Sequence, residues 1–161
     1  MKTLNTKIKF LFVLGAFALC GAQAQDSGLS GTAAASNGGS AGILGTDNTC
    51  VGAAAGHSVT ANSVQNTLVG TKAGYYVAGN TYNTHDNTFV GWAAGYNTGI
   101  ADLEYICNNN TFIGSQSGYL NDKGGANSFL GFSSGYSNST GNANTALGFY
   151  AGFSNSARYS A

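Results

Sequence analysis

The chain repeats a short pattern in which two polar residues are followed by two mostly apolar residues and a glycine. NTFVGWAAGY, starting at Asn87, returns as NTFIGSQSGY at Asn110 and as NSFLGFSSGY at Asn127. The apolar pair is rich in β-branched and aromatic residues and lies between asparagine and glycine, as in short β-strands bounded by turns. Each copy therefore predicts a short strand, a tight glycine turn, a second short strand and a loop of variable length.

Six copies of this pattern follow one another, with the consensus N-[TS]-x-[VIL]-G-x-x-[AS]-G-[aromatic]. They start at Asn48, Asn66, Asn87, Asn110, Asn127 and Asn144. The starts lie 17 to 23 residues apart, a period typical of solenoids in which each coil covers the next. We predict an all-β fold, a parallel β-roll or β-solenoid of about six coils over residues 48–161. Positions are numbered from the asparagine of each copy, and equivalent positions form a column.

The third and fourth positions are both apolar, and neighbours along a strand point to opposite faces of the sheet. The fourth-position column is always aliphatic, so we predict that it forms the core of the coils: Val51, Val69, Val90, Ile113, Leu130 and Leu147. A strand that is apolar on both faces is covered on both faces, whereas a thin coil covers only one. The third-position column is therefore predicted to be an oligomer interface, with Leu68, Phe89, Phe112 and Phe129 in contact with other copies.

The energy of a thin coil also favours association. Ordering a coil of this length costs on the order of 25 kcal/mol, at about 1.5 kcal/mol per residue. Three or four buried apolar side chains return only about 1.5–3 kcal/mol each. We therefore expect a homo-oligomer.

Three further columns carry polar or aromatic side chains. The first position is always asparagine, which predicts a ladder of amide hydrogen bonds at the strand entrance. The second position is always threonine or serine, and its parity with the fourth position predicts that it points inward or to the edge. The aromatic column at the tenth position begins with His57, a polar substitute, and continues with Tyr75, Tyr96, Tyr119, Tyr136 and Phe153. It is interpreted as structural stacking, with an exposed binding stripe as the alternative.

The N-terminus has the pattern of a secretory signal peptide over residues 1–24. Lysines at the start are followed by the apolar run from Phe10 to Leu19, which is too short for a membrane span, and by Ala22-Gln23-Ala24, a cleavage signal. Residues 25–47 are rich in Gly, Ser and Ala and are predicted to be a flexible leader or cap. The remaining chain has three basic and six acidic residues, which argues against binding nucleic acid. It has no second apolar run that predicts a transmembrane segment.

The copies resemble the YadA-like head repeats of trimeric autotransporter adhesins in their N-[TS]-x-[VIL]-G core, from Asn48 to about Phe153. The resemblance implies a left-handed parallel β-roll, a homotrimer, and exposure on the outer surface of a Gram-negative bacterium with extracellular matrix or cells as ligands. The coils here are longer than the family's, and no stalk or β-barrel anchor follows. We therefore expect release, attachment through a partner, or a truncated chain.

Candidate chemistry is sparse, and we predict no catalytic residues, no metal and no cofactor. The insertion GIADLEYICNNN carries Asp102, Glu104 and Tyr105 and is predicted to be a surface loop for partner binding. Its carboxylates leave calcium as an alternative. Cys50 and Cys107 lie nearly three coils apart, so no disulfide between them is predicted.

These observations favour a secreted or cell-surface structural and adhesion protein that is not an enzyme. Two alternatives stay open. Threonine at the second position of nearly every copy suggests an ice-binding solenoid, provided that this column faces solvent. The open ends of a solenoid suggest a self-assembling extracellular fibre subunit.

Overall fold

The computed structural model describes residues 47–59, 63–77, 84–99 and 107–155. Within these ranges all regular secondary structure is β, and parallel strands stack to form a β-solenoid. The predicted all-β class and parallel β-solenoid are therefore confirmed. The predicted signal peptide and most of the predicted leader lie outside the described residues. No helix in the described part of the chain is long and apolar enough to cross a membrane.

The main sheet contains one three-residue strand from each copy of the repeat. Its strands, in spatial order, are β1 (Thr49–Val51), β3 (Thr67–Val69), β6 (Thr88–Val90), β8 (Thr111–Ile113), β9 (Ser128–Leu130) and β10 (Thr145–Leu147). All neighbours are parallel, and each pair aligns second position with second, third with third and fourth with fourth. The columns of the sequence are thus columns of the molecule, despite repeat lengths that differ by several residues.

Two smaller parallel sheets lie in the first half of the described solenoid. One pairs β2 (Ser63–Val64) with β5 (Thr84–His85), just before the asparagines that begin the second and third copies. The other pairs β4 (Tyr76–Val77) with β7 (Asn97–Thr98), immediately after the aromatic column. The second strand predicted for each copy is therefore present in the second and third copies. In the later copies the same positions form turns that still bond to the next repeat.

The third-position column forms the hydrophobic core, which corrects the sequence prediction. Leu68, Phe89 and Phe112 are 0% exposed and Phe129 is 2% exposed, so their assignment to an oligomer interface is wrong. The fourth-position column, predicted to be the core, lies on the outer face of the sheet. Its exposed members are Val51 at 36%, Ile113 at 38%, Leu130 at 47% and Leu147 at 72%, and Val69 and Val90 are half-buried. The two columns do point to opposite faces, as predicted.

The reason for this orientation lies in the turn that follows each strand. The eighth position is alanine or serine, and the glycine at the ninth position lies directly against the third-position side chain. A Cβ atom at Gly95 would lie 2.4 Å from Cδ2 of Phe89, which is too close for any residue with a side chain. Because the turn folds back over the third-position face of the strand and has no side chain at its glycine, an aromatic ring fits between the turn and the strand on that face.

The glycine at the fifth position allows the repeats to stack closely. Gly91 has φ of 138°, and a Cβ atom there would lie 2.5 Å from the carbonyl oxygen of Gly114 in the next copy. Neither the backbone conformation nor the space admits a side chain. This explains why the fifth position is glycine in every copy.

Candidate functional site

The asparagine column is a buried ladder that connects all six copies, as predicted. Each Oδ1 accepts a hydrogen bond from the backbone N–H of the asparagine in the next copy, at 2.9 to 3.1 Å. In the first copies the side-chain amides also bond to one another, as Asn66 Nδ2 does to Asn48 Oδ1 at 2.9 Å. No buried side-chain nitrogen or oxygen in the described ranges lacks a partner. The ladder fixes the register of the strands and so the spacing of the outer columns.

A second, shorter asparagine ladder, not predicted from the sequence, lies at the twelfth position. Asn121 and Asn138 are buried, and Asn138 Nδ2 donates to Asn121 Oδ1 at 3.0 Å. Each also donates to a glycine carbonyl three residues later, at 2.7 Å for Gly124 and 3.0 Å for Gly141. The same position holds Val59, Val77 or Thr98 in the earlier copies. The sequence does carry a signal for this ladder. Asparagine recurs two residues after the aromatic position in the copies that are 17 residues long.

The outer face of the main sheet carries two parallel columns, and it is the main candidate for contact with a partner. The threonine column and the fourth-position column both point outward, separated by the buried third-position column. Within each column, neighbours lie about 4.8 Å apart because they lie on adjacent strands. The prediction that the threonines point inward or to the edge is wrong, for the same reason that the core assignment was reversed.

Large aromatic side chains continue this outer face at the sixth position, just after the strand. Trp92 is 49% exposed, Phe132 40% and Phe149 75%. Phe132 and Phe149 stack with their ring centroids 5.4 Å apart. The first two copies have Ala53 and Thr71 at this position and the fourth has Ser115, so the exposed apolar area is greatest in the last two copies.

The aromatic column forms one continuous stack. Successive ring centroids from His57 to Phe153 are 4.4, 5.0, 4.8, 5.0 and 4.9 Å apart, with interplanar angles of at most 11°. The ring faces inside the stack are covered by one another, so they are closed to a ligand that would stack on them. The structural stacking predicted for this column is therefore confirmed. Burial raises the pKa of Tyr96 and of Tyr119, and the neighbouring tyrosines raise it further.

The remaining candidates from the sequence do not form a site in the described part of the chain. Asp102, Glu104 and Tyr105 lie outside it, so the predicted partner-binding loop and the calcium alternative stay predictions. His85 Nδ1 lies 2.7 Å from a carboxylate oxygen of Asp86 on the surface. No group of three or more His, Cys, Asp or Glu side chains in the described ranges could hold a metal ion.

Both cysteines in the described residues are free and buried. Cys50 begins the third-position column, and Cys107 Sγ lies 2.9 Å from the carbonyl oxygen of Asp122. Burial raises the pKa of Cys50 to about 11 and that of Cys107 to about 12. Both thiols are therefore protonated and unreactive at neutral pH.

Comparisons of the chain with protein-family models, with curated proteins and with solved structures found no match. The resemblance to YadA-like head repeats accordingly stays a prediction from the repeat motif.

Proposed function

We propose that this chain is an exported structural and adhesion protein, which presents a rigid β-solenoid surface to extracellular matrix, cells or other surfaces outside a Gram-negative bacterium. The observation that carries the proposal is the parallel sheet whose columns run the whole length of the described solenoid. Uniform register holds the outward side chains at fixed spacing, which suits repeated contacts with an extended partner. The pattern of residues 1–24 supports export. The proposal includes no catalytic step and no cofactor.

We further propose that the chains associate laterally through the fourth-position column, in place of the third-position column that the sequence favoured. Ile113 and Leu130 are 38% and 47% exposed on adjacent strands of the main sheet, and Trp92 and Phe132 are exposed just after the strands of the third and fifth copies. Contiguous apolar surface of this kind marks protein interfaces. Covering the rest of each aliphatic side chain contributes on the order of 1 kcal/mol. Three protomers is the number that the family resemblance supports.

Light scattering on residues 25–161 tests the lateral interface. The smallest species of the wild-type chain should have the mass of a trimer, and in Leu130→Lys the smallest species should be a monomer because a lysine at the interface would lose its hydration. Ser139→Lys is the matched control, since it adds the same charge at an exposed turn and should leave the trimer intact. A monomeric wild type, or equal effects of the two variants, would refute the interface.

Binding to surfaces tests the adhesive role. An intact oligomer should be retained on immobilised extracellular matrix or on cells, and the Leu130→Lys chain should be retained more weakly because it has lost multivalency. No retention of either form on matrix, cells or polysaccharide would contradict adhesion.

A second candidate, ice binding, is favoured by the outward position of the threonine column. Thr88 and Thr111 lie on adjacent parallel strands beside an aliphatic column, so hydroxyl and methyl groups repeat at the spacing of the strands. The changes from valine to leucine along the fourth-position column make this array less even. Thermal hysteresis that Thr111→Tyr abolishes would favour ice binding, whereas the adhesive role predicts no hysteresis.

A further inference from the structure

The repeats bond to one another through a directional set of backbone hydrogen bonds. Each copy donates to the following copy from its second and ninth positions, as Ser128 N–H does to Asn144 O at 2.8 Å and Gly135 N–H to Ala151 O at 2.9 Å. The carbonyl groups at the fourth and sixth positions of each copy accept hydrogen bonds from N–H groups of the same following copy. Leu130 O thus accepts from Gly148 N–H at 2.8 Å. A copy therefore has two different edges, one for the copy before it and one for the copy after it.

The last described copy presents the edge that a following copy would pair with. The N–H groups of Thr145 and Gly152 and the carbonyl groups of Leu147 and Phe149 occupy the positions that bond forward elsewhere. The described residues contain no seventh copy to receive them. Strand edges of this kind are templates for pairing with another chain.

The first copy presents the complementary edge. The N–H groups of Gly52 and Ala54 and the carbonyl groups of Ala55 and His57 occupy the positions that bond backward elsewhere, as in the pairs Gly70 N–H to Val51 O and Gly56 N–H to Ala73 O. A second copy of the chain, shifted along the solenoid axis, would offer these groups to the last copy in the register that the solenoid already uses.

The side chains at the two ends agree with this pairing. Leu147 and Phe149 are 72% and 75% exposed, the highest values among the large apolar side chains of the described ranges. On a stacked copy they would lie over Val51 and Ala53. The aromatic column would also continue, with Phe153 against His57.

Neither end carries the residues that usually prevent edge pairing. Residues 48–59 and 144–155 contain no lysine, arginine, aspartate, glutamate or proline. Natural sheets commonly protect their edges with charged residues or proline, so the absence of both from each end leaves the edges open to pairing.

We propose that the chains stack end to end, the first repeat of one copy on the last repeat of another, and so build a fibre. This contact is heterologous and translational, so it does not close and can continue without limit. It uses the ends of the solenoid and is independent of the lateral interface proposed above, which uses its outer face.

Site-directed cross-linking tests the joint directly in residues 25–161. In the stacked arrangement residue 145 of one copy and residue 49 of the next lie on adjacent strands, about 4.8 Å apart. A T49C/T145C variant treated with a short bismaleimide should therefore give a ladder of covalent multimers well beyond a trimer. T111C/T145C is the matched control, because Thr111 lies on an interior strand with both neighbours in place. It should give no species beyond the lateral oligomer.

A backbone substitution at the edge gives an independent test. Thr145→Pro removes an N–H group at the end of the sheet, whereas Thr145→Ala keeps it. Electron microscopy and sedimentation should show rods that lengthen with concentration for the wild type and Thr145→Ala. Thr145→Pro should give short particles with the circular dichroism spectrum of the wild type. Discrete wild-type particles at all concentrations, as expected if the chain's own termini cover the ends, would overturn the proposal. So would equal ladders from the two cysteine pairs.

Discussion

Replacing Gly118 with alanine tests which column forms the core. Gly118 has φ of 59°, and a Cβ atom there would lie 2.4 Å from Cδ2 and Cε2 of Phe112. The ring of Phe112 cannot move aside, because it stacks between Phe89 and Phe129 with centroids 4.8 and 5.1 Å away. Positive φ costs alanine about 1–2 kcal/mol, and overpacking a core costs about 1–3 kcal/mol more. We expect Gly118→Ala to lower the free energy of unfolding by about 2–5 kcal/mol.

The chain supplies a matched control for this substitution. Gly152 has the same position in the last copy and the same φ of 59°, but the nearest atom to its added Cβ is Ala146 Cβ at 3.1 Å. Gly152→Ala therefore keeps the backbone strain without the ring and should cost about 1–2 kcal/mol. Urea unfolding followed by circular dichroism measures both. Equal losses in the two variants would refute the third-position core.

Three further predictions concern the turns, the ladder and the thiols. Ala126 is exposed with φ of 56°, so Ala126→Gly should raise the midpoint of thermal unfolding, with a gain of about 1 kcal/mol; no change or a loss would contradict the strain. Asn110→Ala leaves the backbone N–H of the next asparagine buried without its acceptor and should cost about 2–4 kcal/mol in urea unfolding, whereas Asn97→Ala, at a partly exposed position, should cost less than about 1 kcal/mol. Burial raises the pKa of Cys50 to about 11 and of Cys107 to about 12 from an ordinary 9.0, so the stability they contribute is complete below pH 9 and decreases as the pH rises toward 11–12. At pH 10 the loss should be on the order of 1 kcal/mol per thiol relative to pH 7, and a C50A/C107A variant should show a smaller loss.

The repeat motif was sufficient to predict the architecture. Glycine at fixed positions and asparagine at the start of every copy predicted the stacked parallel strands, the turns and the amide ladder. These features depend on local backbone geometry and on equivalence between copies, and both can be seen in one sequence. The fifth-position glycine, as at Gly91, has the close approach to its neighbour that its recurrence implied.

The direction in which the strand faces could not be obtained from apolar character alone. Phe112 and Ile113 are both apolar, and the constancy of the aliphatic residue wrongly predicts that its column faces the interior. The decisive signal was the small residue at the eighth position and the glycine at the ninth, as at Ser117 and Gly118, which leave room for a large third-position ring. Their distance from the strand in sequence hid this contact, because it depends on how the turn folds back.

The exposed aromatic residues of the sixth position were also missed, since they occur in only some copies. Each of these residues, Trp92, Phe132 and Phe149, follows a glycine in a turn. The alternation of side chains between the two faces of a strand does not extend into a turn, so it does not predict where they point. They are noticeable only once the fourth-position column is known to lie outside.

Thiol reactivity tests the central claim most directly, namely that the fourth-position column lies outside the solenoid and is covered by other copies of the chain. In an L130C variant the new thiol and the native thiol of Cys50 report on the outer face and on the core of the same molecule. We predict that in dilute protein the thiol at position 130 reacts rapidly with a maleimide and Cys50 does not. As the protein concentration rises and chains associate, the reaction at position 130 should become slower. Slow reaction at position 130 in the monomer, or a rate that does not depend on concentration, would contradict the account.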